Sequence, residues 1–236
     1  MEKKIRQIVL DTETTGLSAR DGNRIIEIGC VELINRKLTG NNYHQYINPE
    51  RDSEEGALAV HGLTTEFLSD KPKFSEIVEN FCAYIQGAEI VIHNAPFDLA
   101  FLNAEFAKLE LGLFTDYVDI VTDTLVQAKE LHPGKRNSLD ALCDRYEISN
   151  AHRKLHGALL DAELLADVFL AMSRGQNSFE IDLPEDQPQQ VEEVQLLEMP
   201  PGDVIVRLAS APELEAHETF LTGLDKQLRQ NCIWRE

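Results

Sequence analysis

The chain has 236 residues, with 22 Lys and Arg against 41 Asp and Glu, a formal net charge of −19. That length suits one domain with an appendage or two small domains, and it can bury about 70% of its unfolded surface. An apolar fraction of 43% with 27% charged residues excludes a disordered chain, a collagen-like repeat and a coiled coil.

No run approaches the roughly 18 apolar residues of a membrane span. The start MEKKIRQIVLD has no signal-peptide core, so no membrane association is expected. The scattered Cys30, Cys82, Cys143 and Cys232 form no CxxC pair and read as reduced thiols of a cytoplasmic protein. Such acidity excludes a free-scanning DNA binder, because non-specific affinity comes mainly from Lys and Arg displacing counterions.

Ile8-Val9-Leu10 is a short apolar strand, and Ile25–Ile34 (IIEIGCVELI) is a second, rich in β-branched residues. Turn chemistry at Gly40-Asn41 leads to a third at 43–47, closed by Asn48-Pro49. Helical spacing follows at 75–86, 97–109, 124–131, 138–146 and 158–173, with short strands at Glu89–Ile92 and 117–121 between. Asn137 is the expected cap of the 138–146 helix. Three early strands and then alternating helices and strands predict an α/β domain with a mixed sheet.

Composition shifts near Gly175: residues 176–236 hold five of the nine prolines and a net charge of −9. Residues 176–202 lack a sustained period and read as a flexible linker. A strand is expected at 203–209. Ser210-Ala211-Pro212-Glu213 then has the capping-box form before a helix with Leu214, Phe220, Leu221, Leu224 and Leu228 at helical spacing. The expected organisation is a domain at 1–175, the linker, and a small segment at 203–236.

The chemistry starts with Asp11-Thr12-Glu13-Thr14-Thr15-Gly16. Residues two apart on a strand share a face, so Asp11 and Glu13 project together, about 6.6 Å apart along the chain. Two such carboxylates resist ionisation unless a cation sits between them, and hard oxygen donors favour Mg²⁺ or Mn²⁺ over zinc. Alone, the pair is equally a solvated strand end. The Thr14-Thr15-Gly16 turn would bring backbone N–H groups close to a substrate.

In His93-Asn94-Ala95-Pro96-Phe97-Asp98, Pro96 suits a helix's first turn. That puts Asp98 at the carboxyl end of a strand, where α/β sheets bind ligands. Plain stabilisation by the helix dipole is the competing reading. His156-Gly157 forms a loop before the 158–173 helix, letting His156 swing over the site while Asp161 projects inward. Histidine is the usual group poised to move protons near neutral pH. Four carboxylates and one His make a coherent two-metal phosphodiesterase site, with two divalent cations about 3.5–4 Å apart and His156 as base toward water.

The order Asp11-x-Glu13, Asp98 within HNAPFD, and His156 with Asp161 resembles the His-bearing subclass of DEDD-type 3′–5′ exonucleases, over residues 5–173. The resemblance implies a ribonuclease H-like fold with a mixed five-stranded sheet. It implies Asp11, Glu13, Asp98 and Asp161 as metal ligands and His156 as general base. LTGNNYHQYINP, VHGLTTEFL, PGKRNSLDALCDRYEI and LHGALLDAELLADVFLAM are similar to stretches of the proofreading subunits of bacterial DNA polymerase III. That likeness implies removal of mispaired nucleotides from single-stranded or frayed DNA 3′ ends, released as nucleoside 5′-monophosphates. Substrate contacts are then expected at Asp11, Glu13, Asp161, Thr14, Thr15 and Asn94, and at His61, whose loop the family places beside the terminal nucleotide. One departure is Gly56, where relatives carry a glutamate; Glu55 adjoins it.

Residues 176–181 (QNSFEI) resemble the short Gln-x-hydrophobic peptides that bind the bacterial sliding clamp, pointing to Gln176 and Phe179. A strand and one amphipathic helix ending in Ile233-Trp234 are too small to bury their own apolar face. Docking on a partner through Leu221, Leu224 and Trp234 resolves this, and the resemblance makes that partner the polymerase III α subunit. Packing back on the exonuclease domain is the other resolution, and a small third subunit is left open. An RNA-trimming relative would share the motifs but not need the tail. A non-catalytic scaffold would share the tail but not need all five catalytic residue types.

Overall fold

β1 (Arg6–Thr14) runs through the middle of a mixed sheet, antiparallel to β2 (Ile25–Ile34) and parallel to β5 (Glu89–Ile92). β5 pairs in parallel with β6 (Ile120–Asp123), while β3 (Lys37–Leu38) and β4 (Tyr43–Tyr46) share the outer edge of β2. The mixed sheet is therefore as expected, with six strands rather than five because the two-residue β3 forms its own pairing. This computed structural model describes residues 5–150, 155–173 and 209–228. They fall into two units, one holding 5–173 and the other 209–228.

Strand alternation sorts the core into two layers. Ile8, Leu10, Ile28 and Cys30 pack on α3 (Phe74–Ile85) and α4 (Ala95–Lys108), where Phe81, Phe101 and Phe106 fill the layer. Removing one such ring to Ala costs about 3–5 kcal/mol. Val9, Val31 and Leu33 face the other way, onto Ala162, Leu165, Ala166 and Phe169 of α7 (Ala158–Met172). Behind α7, Leu142 and Cys143 of α6 (Leu139–Tyr146) pack with Val168 and Met172.

Helix spacing in the sequence locates most elements closely; α5 (Thr124–Leu131) has the expected bounds. Three details differ. The strand expected at 117–121 begins at Ile120, because Tyr117 and Val118 turn into the core and pairing with Glu89 starts at Ile120. The cap of α6 is Ser138, whose hydroxyl accepts from Ala141 N, whereas Asn137 is buried and accepts from Arg145. The short helices α1 (Glu55–His61) and α2 (Thr65–Leu68) were not anticipated. α1 carries a helix-weakening Gly56 and ends on Gly62, which takes the left-handed conformation at φ 71°.

In the second unit α8 (Ala211–Leu228) forms as expected. Both the backbone N–H and the hydroxyl of Ser210 donate to Glu213 Oε2, at 2.7 and 2.8 Å. Leu214 and Phe220 are exposed and Leu221 is buried. The linker at 176–202, residues 203–208 of the expected strand, and Gln176, Phe179 and Trp234 lie outside the described residues, as does the Leu224 side chain. Among the described residues no helix is long and apolar enough to cross a membrane.

Candidate active site

At the carboxyl end of β1 the alternation continues, so Asp11 and Glu13 follow Val9 onto the α7 face and Thr12 follows Ile8 and Leu10 onto the α3/α4 face. Their partners across β2 are Gly29 opposite Asp11 and Glu27 opposite Glu13. Gly29 is where α7 crosses the sheet: a Cβ there would overlap the backbone of Ala158 and Leu159. The missing side chain lets the first turn of α7 descend beside the strand. Glu13, His156 and Asp161 thereby offer one ligand atom each within 4.8 Å of one another.

His156 sits just ahead of α7. Its backbone N–H donates to Val60 O at 3.1 Å, tying it to the end of α1. Its ring Nδ1 lies 3.1 Å from Asp161 Oδ2. With Nδ1–H donating to that carboxylate, the Nε2 lone pair becomes the ring's basic position. Asp161 is buried in the opening turn of α7, where the helix dipole favours a negative charge. Two carboxylates and an imidazole converging on one point fit a divalent cation by donor chemistry, and the oxygens suit Mg²⁺ or Mn²⁺.

Asp98 is not one of that three-residue group. It lies in the first turn of α4, is 3% exposed, and accepts a 2.7 Å hydrogen bond from Thr12 Oγ1. Burial pushes its carboxyl up to about 7, although the Thr12 hydroxyl and backbone N–H groups favour the charged form. The start of α4 is held by Asp123. Its carboxylate accepts from Asn94 N and Ala95 N, both at 3.2 Å, while also capping α5 through Leu125 N at 2.8 Å. The Asp-Thr pair before 124–131 is a legible cap signal; its second role, starting α4, is not.

The five expected catalytic positions are thus gathered unevenly. Glu13, His156 and Asp161 meet, Asp11 shares the strand face of Glu13, and Asp98 is held by Thr12.

The Thr14-Thr15 turn is bonded within the protein. The Thr14 hydroxyl donates to Gly16 O at 2.7 Å and that of Thr15 to Asn23 Oδ1 at 2.9 Å, while Thr15 N donates to Arg24 O at 2.9 Å. Asn23 Nδ2 in turn donates to Glu54 Oε1 at 2.7 Å, joining the turn to the start of α1. Both threonines are buried, so these groups clasp the protein to itself. Asn23 carries no sequence signal of this role, because Glu54 is 31 residues away.

His61, at the end of α1, is 3% exposed; its Nδ1 accepts from Leu63 N at 2.9 Å. Its Nε2 is buried with no hydrogen-bond partner among the described residues. Burial lowers its pKa and keeps the ring neutral. Asn94 is exposed at φ 67° and makes no side-chain cap bond. A side chain at Gly56 would meet nothing within 4 Å. The remaining described histidines of this unit are structural: His44 bonds Glu27, His93 bonds Thr124 and His132 bonds Tyr146.

Residues 8–169 match the Exonuclease family, RNase_T. The chain is 52% identical to DNA polymerase III subunit epsilon of Pasteurella multocida (strain Pm70), over 98% of this chain and 94% of that protein. It is 48% identical to DNA polymerase III subunit epsilon of Escherichia coli (strain K12), over 98% and 97%. Exonuclease X in complex with 5′ overhanging duplex DNA aligns with a TM-score of 0.56 and 26% identity, covering 70% of this chain and 90% of that one. E. coli Exonuclease I in complex with a dT13 oligonucleotide aligns at 0.63 with 16% identity, over 73% and 42%, which is a likeness of fold alone. The chain belongs to the RNase_T exonuclease family and, within it, with the DNA polymerase III epsilon subunits, as a DEDD-type 3′–5′ exonuclease.

Proposed function

We propose that this exonuclease proofreads for the replicative polymerase, hydrolysing mispaired 3′-terminal nucleotides of DNA to nucleoside 5′-monophosphates. One observation carries the reading: 52% identity to an epsilon subunit over nearly the whole of both chains, tail included. That extent favours it over an RNA-trimming exonuclease and over a non-catalytic scaffold.

Asp11, Glu13, Asp98 and Asp161 would hold two divalent cations, Mg²⁺ or Mn²⁺. When bound, the cations supply positive charge at the scissile phosphate and a more acidic water. His156 takes the water's proton at Nε2. Asp161, bonded to Nδ1, fixes the ring and balances the charge that the ring gains. His61 Nε2, buried without a hydrogen-bond partner among the described residues, supports a hydrogen bond to the terminal nucleotide, and the exposed Asn94 side chain supports a second contact. Thr14 and Thr15 hold the turn after Glu13, from which they would contact the substrate.

Residues 203–236 would dock on the polymerase α subunit through Leu221, Leu224 and Trp234, which the exposed Leu214 and Phe220 of α8 support. Residues 176–181, with Gln176 and Phe179, would engage the sliding clamp. The buried or half-buried thiols Cys30 and Cys82 support a cytoplasmic setting.

The test is degradation of a mismatched primer. Mg²⁺ or Mn²⁺ is expected to support it, and Asp11→Ala or His156→Ala to slow it at least about 100-fold; full activity in either variant sinks the mechanism. Deleting 176–236 is expected to leave nuclease activity intact and to abolish co-purification with the polymerase. Retained binding refutes the tail assignment.

A further inference from the structure

We propose that Thr12, the residue between the two strand carboxylates, is a positioning residue that orients Asp98 for cation binding. The proposal rests on the ligand role given to Asp98 above. Thr12 points away from Asp11 and Glu13, into the layer that contains α4. Its hydroxyl is the side-chain donor to Asp98, at 2.7 Å, and both residues are buried.

The two kinds of hold on Asp98 are separable. Asp123 fixes the backbone at the start of α4 through Asn94 N and Ala95 N. It does not set the direction of the Asp98 side chain. The Thr12 hydroxyl contributes to that direction, alongside the backbone N–H groups of Thr12 and Asp98, and a β-branched side chain on a paired strand has a restricted χ1 that fixes where its hydroxyl points. Thr12 pairs with Ile28 on β2, which makes that anchor part of a strand paired to neighbours on both sides. A carboxylate with one oxygen pinned in this way has a defined plane, and groups that hold ligands in such planes tune metal affinity about 10–100-fold. On this account the threonine of Asp11-Thr12-Glu13 serves the same site as its neighbours, from the opposite face of the strand.

The experiment uses the full chain and three variants. Thr12→Val keeps the shape and removes the hydroxyl, Thr12→Ser keeps the hydroxyl, and Asp98→Ala removes its partner. Mn²⁺ binding is measured by calorimetry without DNA, and kcat, KM for a mismatched primer and the half-saturating Mg²⁺ concentration are measured alongside. Thr12→Val is expected to weaken Mn²⁺ binding and raise the Mg²⁺ requirement about tenfold, with KM for DNA unchanged. Thr12→Ser is expected to restore both. Wild-type Mn²⁺ affinity in Thr12→Val overturns the proposal, as does a Thr12→Ser protein no better than Thr12→Val. Should Thr12→Val not fold, Thr12→Ala replaces it with the same expectations. Asp98→Ala separates the two layers of the argument. If it binds Mn²⁺ as wild type does, the ligand role of Asp98 fails; if it loses binding while Thr12→Val does not, only the positioning role fails.

Discussion

On the α7 side of β1, Glu13 and Asp161 share their space with the His156 imidazole, whereas on the α3/α4 side Asp98 is held by Thr12 beside a layer of Phe101 and Leu102. The first group has the ring nitrogen of His156 as a hydrogen-bond partner at hand. The second has a neutral donor and a carboxyl pushed up to about 7 by burial. Carboxylates of similar chemistry are therefore in different electrostatic positions about one strand end. The α7 face carries the proposed proton transfer, and the α4 face holds a carboxylate whose charge burial disfavours. A cation arriving at the strand end would benefit the second face more, because it would remove a cost the metal-free protein carries.

That contrast can be broken in two ways. The larger effect belongs to the α7 face: Asp161→Ala removes the partner of His156 Nδ1 as well as a proposed ligand, and should lower kcat about 10³-fold. A loss under tenfold would show that the two faces are not divided in this manner. The second is a gain in stability of the metal-free protein, expected from Asp98→Asn.

The sign follows from linkage. The carboxyl of Asp98 is raised from 3.8 to about 7 in the folded chain. Its contribution to stability is complete below the unfolded value and is lost as pH rises through the folded one. Asp98→Asn carries no such loss. Metal-free Asp98→Asn protein should therefore melt several degrees above metal-free wild type at pH 8, with the gap closing as pH falls toward 5, while its nuclease activity is lost. Thermal melts in EDTA at the two pH values check this, and a gap independent of pH contradicts it.

How much of this was legible in the sequence follows from the range of each interaction. The three motifs were visible because each is short and sits at the end of a strand or the start of a helix: Asp11 and Glu13 on β1, Asp98 at the start of α4, His156 and Asp161 around the start of α7. The helices were visible through apolar spacing, closely enough that 124–131 matches α5. The bonds that organise those motifs were not. Thr12 and Asp98 are separated by 86 residues, Asn23 and Glu54 by 31. The bonds of the Thr14 and Thr15 hydroxyls to Gly16 and Asn23 are likewise visible only in three dimensions. Gly29 reads as a flaw in an apolar strand until α7 is laid across it. The net charge of −19 likewise changes meaning: part of it is the carboxylate set at the end of β1, and about half lies in the tail assigned to protein partners.

The central claim is that the carboxyl end of β1, where Glu13, His156 and Asp161 converge, is the catalytic metal centre. Anomalous diffraction from a crystal soaked in Mn²⁺ tests it most directly. The account predicts a manganese peak bounded by the Glu13 and Asp161 carboxylates and abolished by Glu13→Ala. Manganese bound elsewhere, with this group empty while the crystalline protein still degrades a 3′ end, would contradict it.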